Sequence, residues 1–184
     1  MALTPTARAF HWTVAALVLL MIPAGLVMVR EGIPRSLQDT LFLFHKNVGV
    51  AVLLIVVARA VYRWRHPPPP LPDTMPAWQK TAALATHRAL YVLLFLMPVA
   101  GYVRVKAGGF PIETLDRLGV PSLVPRSDAL AGAAKAVHFY GAWAIIAILA
   151  LHTGAALYHA LVLKDGVFGR IWPPLGRARA ARRG

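Results

Sequence analysis

The sequence predicts an all-α fold: a four-helix transmembrane bundle with both termini cytoplasmic. Three observations predict it. Hydrophobic residues make up 58% of the 184 positions and charged residues only 15%, against about 45–50% and about 25% in soluble domains. The apolar residues gather into four runs, each near the length of about 20 residues that crosses a bilayer. Lysine and arginine are then divided unequally between the two ends of those runs. A mean hydropathy of +0.57 agrees with the first observation.

The same composition excludes several classes. A disordered chain would lack the leucines, valines and aromatics. With no cysteine at all, a disulfide scaffold, an iron–sulfur cluster and a thiolate zinc site are excluded. A formal charge of +13 would suit nucleic acid if the basic residues clustered on a polar surface. Here they lie between apolar runs, so the expected partner is the lipid bilayer and not nucleic acid.

The first span covers residues 10–29 and contains no Lys, Arg, Asp or Glu. It is long for the apolar core of a signal peptide and no A-x-A-like site follows, so it reads as a retained span. The second covers residues 45–62, with Lys46 at one end and Arg59 near the other. The third covers residues 87–105. The fourth, residues 136–163, carries no formal charge. Pro23 and Pro98 fall inside spans one and three, a position that transmembrane helices tolerate. Residues 63–76 form a loop whose four consecutive prolines, Pro67 to Pro70, predict a stiff extended strap. Residues 106–127 form a second loop, with one short helix expected over residues 112–118. Ser127 is the expected N-cap of the fourth helix, with Asp128 favourable in its first turn. The whole, residues 1–184, reads as a single integral-membrane domain ending in a basic cytoplasmic tail, residues 164–184.

Orientation follows the lysines and arginines of the short loops. Twelve of the twenty fall on the side of the two termini and the proline loop, and eight on the other. Five of the seven acids (Glu31, Asp39, Glu113, Asp116 and Asp128) also fall on that second side. The termini are therefore expected in the cytoplasm, and the basic run Arg177 to Arg183 is expected to anchor to anionic lipid.

Six of the seven histidines lie at or within a span: His11, His45, His87, His138, His152 and His159. An ionisable side chain at membrane depth is costly and usually marks a site. His138 and His152 are 14 positions apart, so they differ by only about 40° around a helix and lie about 21 Å apart along it. One helix face thus offers an imidazole toward each leaflet. The first span runs outward, which puts His11 at the depth of His152. The second runs inward, which puts His45 at the depth of His138. Two bis-histidine pairs in a bundle suit two haem b groups, since zinc or copper wants three or four ligands converging on one point. Covalent haem attachment needs the C-x-x-C-H motif that this chain lacks.

Small residues flank these histidines: Gly49, Gly141, Gly154, Ala155 and Ala156. They suit either a flat cofactor or ordinary close helix packing. Arg59, inside the second span, is a candidate partner for a propionate of the inner haem. Arg8, three residues before His11, is a second candidate. His87 and His159 lie close in depth to the inner pair, where a neutral imidazole can give or take the protons that quinone reduction requires. His66, beside the prolines, reads as a loop residue with no role.

The sequence resembles the bacterial cytochrome b561 family, small di-haem quinone-linked cytochromes. The matching elements are Phe10-His11-Trp12, the run Leu43 to Gly49 around His45, and Arg59 with Tyr62-Arg63. Further matches are Thr86 to Tyr91 around His87, Met97 to Gly101, Val137-His138, Leu151-His152, His159 and Lys164-Asp165-Gly166. The likeness extends over about residues 5–175. It implies a four-helix bundle in the bacterial inner membrane with two b haems, whose iron ligands map onto His11, His45, His138 and His152. It implies a quinone pocket bordered by His87 and His159. It further implies electron transfer between the outer face and the quinone pool, with superoxide as electron donor and ubiquinone as acceptor, as in the superoxide oxidase of the family. Arg104, Lys106 and Lys135 would steer the superoxide anion on the outer side, against the five acids there. The alternative is a cytochrome b electron-relay subunit serving a protein redox partner, a dehydrogenase or a hydrogenase. A third reading, with no haem and histidines lining a metal or transport path, is separated from both by b-type absorption.

Overall fold

A computed structural model describes residues 2–172. Its architecture is four long helices and a short one: α1 Pro5–Val27, α2 Arg35–Arg65, α3 Ala77–Ala107, α4 Glu113–Arg117 and α5 Asp128–Tyr158. There is no strand among the described residues. A π-helical turn, His159–Leu163, continues α5, and a 3-10 turn follows at Phe168–Arg170. Four helices are long and apolar enough to cross a membrane, the last running from Asp128 to Leu163. The basic run Arg177 to Arg183 lies outside the described residues.

Helix starts follow their local chemistry. Thr4 caps α1 by accepting from the Ala7 N–H at 3.2 Å, with Pro5 in the first turn, where a missing N–H costs nothing. Ser127 caps α5 by accepting from the Leu130 N–H at 3.2 Å, as its sequence position implies. Pro23 and Pro98 both sit inside unbroken helices.

Two helices begin earlier than the apolar runs suggest. α2 starts at Arg35 and α3 at Ala77, ten residues before His45 and His87. At about 1.5 Å per residue, 31 residues reach about 46 Å, more than the roughly 30 Å of hydrocarbon. Hydropathy finds only the part of a helix that lies in lipid. The polar first turn of α2, with its Arg35–Asp39 ion pair at 3.1 Å, continues the helix beyond it.

The helices pack in sequence, α1 on α2, α2 on α3, and α3 on α5. A hydrophobic core joins Val14 and Val18 of α1, Val52 and Val56 of α2 and Ile145 of α5, with Met21, Leu93, Met97 and Leu149 against it. Ile145 lies seven residues from His138 and seven from His152, so the core falls midway between those two histidines. Large apolar side chains such as Leu54, Val92 and Leu151 point outward, as a lipid-facing surface requires.

The two ends of the chain meet at one end of the bundle. The Leu3 N–H donates to the Arg170 carbonyl at 3.0 Å, and Trp12 Nε1–H donates to the Ile171 carbonyl at 3.0 Å. Arg170 also reaches the Pro69 carbonyl of the proline loop. At the opposite end, α4 lies against α2. Lys46 donates to Glu113 at 2.6 Å and to the Pro111 carbonyl at 2.8 Å, and Asn47 both donates to Glu113 and accepts from the Thr114 N–H. Lys106 pairs with Asp116, and Ile112 is buried beneath the turn.

Candidate functional site

At the α4 end, α2 and α5 each contribute one imidazole. The rings of His45 and His138 stand 6.0 Å apart, centre to centre, inclined at 74°. His138 Nδ1 lies 3.0 Å from the Met97 carbonyl. A carbonyl only accepts, so Nδ1 carries the ring proton and Nε2 keeps its lone pair.

The other two spanning helices face these rings with glycine. A Cβ on Gly25 of α1 would stand 2.9 Å from His45 Cε1, and one on Gly101 of α3 would stand 3.2 Å from His138 Cε1. Any side chain there would displace a ring. These are not the glycines that proximity in sequence singles out. Gly49 faces Met21, Gly141 accommodates the Met97 thioether, and Gly154 has nothing within 4 Å. Gly25 and Gly101 are adjacent to the rings in space only. The signal available in sequence was depth: Gly25 on an outward-running helix reaches the level of His45.

At the end of the bundle where the termini meet, His11 of α1 and His152 of α5 stand 6.3 Å apart, inclined at 60°. His87 of α3 lies 5.3 Å from His152. Trp12 meets the His11 ring edge-on at 5.4 Å. Arg59 of α2 brings Nη2 to 3.1 Å from His11 Nδ1 and lies 5.2 Å over the Tyr91 ring, with Arg63 5.8 Å from the same ring. A cavity here is lined by Arg59, Tyr62, Arg63, His66 and Tyr91 among others. Sequence reasoning passed over His66, which stacks on Tyr62 at 4.3 Å and belongs to this wall. Arg8 is buried at the same end.

His159 is elsewhere. It opens the π-helical turn and bonds Asp165 at 2.6 Å beside a second cavity, apart from the lining that includes Arg59. His87 and His159 therefore border different surroundings: His87 faces the inner pair and His159 the end of α5.

The donor sets fit a flat group held between two imidazoles. Two imidazoles on opposite sides of one metal ion, each bonded at about 2.0 Å, put their ring centres about 6 Å apart. Both pairs have that separation, whereas His87 and His152 are closer than it. Among the described residues no group of three or more His, Asp or Glu converges on one point, so the imidazoles come as pairs. The half-buried guanidinium of Arg59 offers a counter-charge for an anionic edge at the His11–His152 pair, and the two glycines leave room at the His45–His138 pair.

The cations at the α4 end are partly spent. Lys46 and Lys106 both pair with α4 carboxylates, so the free charge expected of Lys106 is engaged by Asp116. Partial desolvation pushes the Glu113 carboxyl up, but hydrogen bonds from Lys46, its own backbone and Asn47 outweigh this and hold it below its ordinary value.

Residues 2–174 match a family model described as prokaryotic cytochrome b561. Two curated relatives from Escherichia coli (strain K12) are similar. Cytochrome b561 homolog 2 is 35% identical over 103 residues, covering 54% of this chain and 55% of that protein. Cytochrome b561 homolog 1 is 33% identical over 100 residues, covering 53% and 55%. The matched region thus spans about half the length of each relative.

Proposed function

The chain belongs to the prokaryotic cytochrome b561 family, as a multi-pass membrane electron-transfer protein, and from that premise we propose that it holds two haem b groups and carries electrons from its outer face to ubiquinone. The donor in this reading is superoxide. Two superoxide anions and one quinone, with two protons, give two dioxygen molecules and one hydroquinone. The termini lie on the cytoplasmic side of the bacterial inner membrane. The observation that carries the reading is the pair of matched histidine couples, 6.0 and 6.3 Å apart, at opposite ends of one bundle.

Bound haem supplies a one-electron iron couple; everything else falls to the chain. His45 and His138 hold the outer group, and His11 and His152 the inner one. Donation from His138 Nδ1–H to Met97 fixes the ring and raises its basicity as a ligand. Gly25 and Gly101 keep α1 and α3 clear of the outer rings. Arg59 and Arg63, gathered at the Tyr91 ring, would offer positive charge to the carboxylates of the inner group. The valine and isoleucine layer keeps water out of the space between the two levels. His159 and Lys164, which line the cavity at the end of α5, face the quinone ring, and His87 takes or gives protons beside the inner pair.

One observation favours a second reading, an electron-relay subunit for a partner dehydrogenase or hydrogenase. With Lys46 and Lys106 neutralised by α4, the outer surface has less charge to steer a small anion. Purified protein decides between them. Superoxide generated in solution should reduce the bound haems and then a short-chain ubiquinone, with two haems per chain by extraction. A protein that takes no electrons from superoxide alone is a relay, and one without b-type absorption is neither.

A further inference from the structure

The end of α5 is built to aim one side chain. After Tyr158 the helix widens into a single π-helical turn, His159–Leu163, a feature concentrated at functional sites. Lys164 then takes a left-handed conformation, φ 51, and Gly166 another, φ 78. Lys164 is the one non-glycine residue with positive φ among the described residues, a strained choice that the surroundings must hold in place. The reversal returns Asp165 to His159. One carboxylate oxygen stands 2.6 Å from His159 Nδ1 and the other accepts from the Val167 N–H at 3.1 Å.

The segment beyond is fastened across the bundle. Phe168 stacks on Trp172 at 6.0 Å, Trp172 meets Trp12 at 5.6 Å, and Trp12 adjoins His11. The cavity at the end of α5 is lined by His159, Ala160, Lys164, Gly166, Phe168 and Gly169. It offers an imidazole, an ammonium and an aromatic ring, with glycines that let a flat ring approach the backbone. Loss of solvent pushes the Asp165 carboxyl up, but the Val167 N–H and His159 outweigh this and hold it below its ordinary value. It is therefore an ionised acceptor, and the proton of the short bond belongs to His159 Nδ1.

We infer that Asp165 is a positioning residue, fixing His159 with its proton on Nδ1 so that Nε2 is the atom that exchanges protons with a quinone oxygen in this cavity. The inference rests on the quinone reading above and deepens it. Reduction of one quinone to hydroquinone takes two electrons, supplied in that reading by two superoxide anions, and two protons. The His159 imidazolium gives its Nε2 proton to a carbonyl oxygen, forming an O–H bond and breaking an N–H bond. Asp165 stabilises the imidazolium before transfer, and water at the cavity mouth returns a proton to Nε2 for the second transfer. The charged and titratable groups at His159 are Asp165, Lys164 in the cavity wall and the Tyr158 ring 6.3 Å away.

The test uses the full-length haem-loaded protein in detergent, labelled with nitrogen-15 histidine and kept reduced. Neutral His159 in the wild type should show a protonated Nδ1 and an unprotonated Nε2. Asp165→Ala should move the proton to Nε2. Asp165→Asn should lower kcat for short-chain ubiquinone by about 10²-fold, the scale of one acid–base group, with KM little changed, and Asp165→Glu should restore part of it. Haem content and spectrum should stay as in the wild type. A wild-type His159 protonated on Nε2, or an Asp165→Asn protein with full kcat, overturns the inference. If the wild type reduces no ubiquinone, the quinone reading fails, while the protonation state of His159 still decides the role of Asp165. Should the substitutions fail to fold, the wild-type spectrum decides alone.

Discussion

Arg59 and His11, 48 residues apart in sequence, meet with Nη2 at 3.1 Å from Nδ1. Arg59 sets a cation beside the His11 ring, whereas His138 donates from Nδ1 to the Met97 carbonyl. The two pairs are thus electrostatically unequal: one ring faces a cation and the other a carbonyl dipole. A cation beside a redox centre favours its less positive, reduced form. Arg59→Leu should lower the midpoint potential of the inner haem by roughly 60 mV, which is tenfold in a one-electron equilibrium constant. The outer haem should be unmoved. A two-component redox titration of wild type and variant measures both.

The glycines opposite the outer rings predict a selective loss of cofactor. Gly25→Ala would bring a methyl group to 2.9 Å from His45, and the ring must shift to admit it. Haem extracted per chain should fall from about two to about one, with the remaining spectrum that of the inner site. Gly154→Ala serves as control. It meets nothing within 4 Å, should leave haem content unchanged, and should stabilise α5 by up to about 1 kcal/mol.

The clamp between α4 and α2 should open in acid. The folded-state pKa of Glu113 is below its ordinary value, so its contribution is complete above the ordinary range of about 4.3. It is lost as pH falls through the lower, folded value. Hydrogen exchange at the Thr114 amide, which donates to Asn47 Oδ1, should quicken in that acid window. In Glu113→Gln the rate should already be raised at neutral pH and change little on acidification.

Packing between the two histidine levels can be tested without touching either. Ile145 is buried in the core with Val56, so Ile145→Ala leaves a cavity costing about 2 kcal/mol or more. The expected result is a lower temperature for loss of the haem absorption, with both haems present at 25 °C. An unchanged transition would mean that the layer contributes no packing energy.

Much of the site was legible because histidine spacing on a helix fixes both azimuth and depth. The 14 positions between His138 and His152 put the rings on one face, and the alternating direction of the spans matched them with His45 and His11. The glycines that face the rings were not legible for the complementary reason. What a glycine admits depends on the rotation of its helix against a neighbour, and Gly25 and Gly101 owe their contacts to that rotation alone. His66 looked like a plain loop residue because its stacking on Tyr62 follows from how α2 ends, not from composition.

By itself the sequence determined the all-helical class, the four apolar helices and the pairing of His11 with His152 and of His45 with His138, because hydropathy and a 3.6-residue period act locally along one chain. It could not determine the extent of α2 and α3 beyond the lipid, where polar residues keep a helix that hydropathy does not register. The tertiary structure decided which groups face each imidazole: a carbonyl at His138, a guanidinium at His11, a carboxylate at His159. Those choices depend on how helices cross and on one left-handed residue, Lys164. Both are properties of surfaces brought together, which no single segment contains.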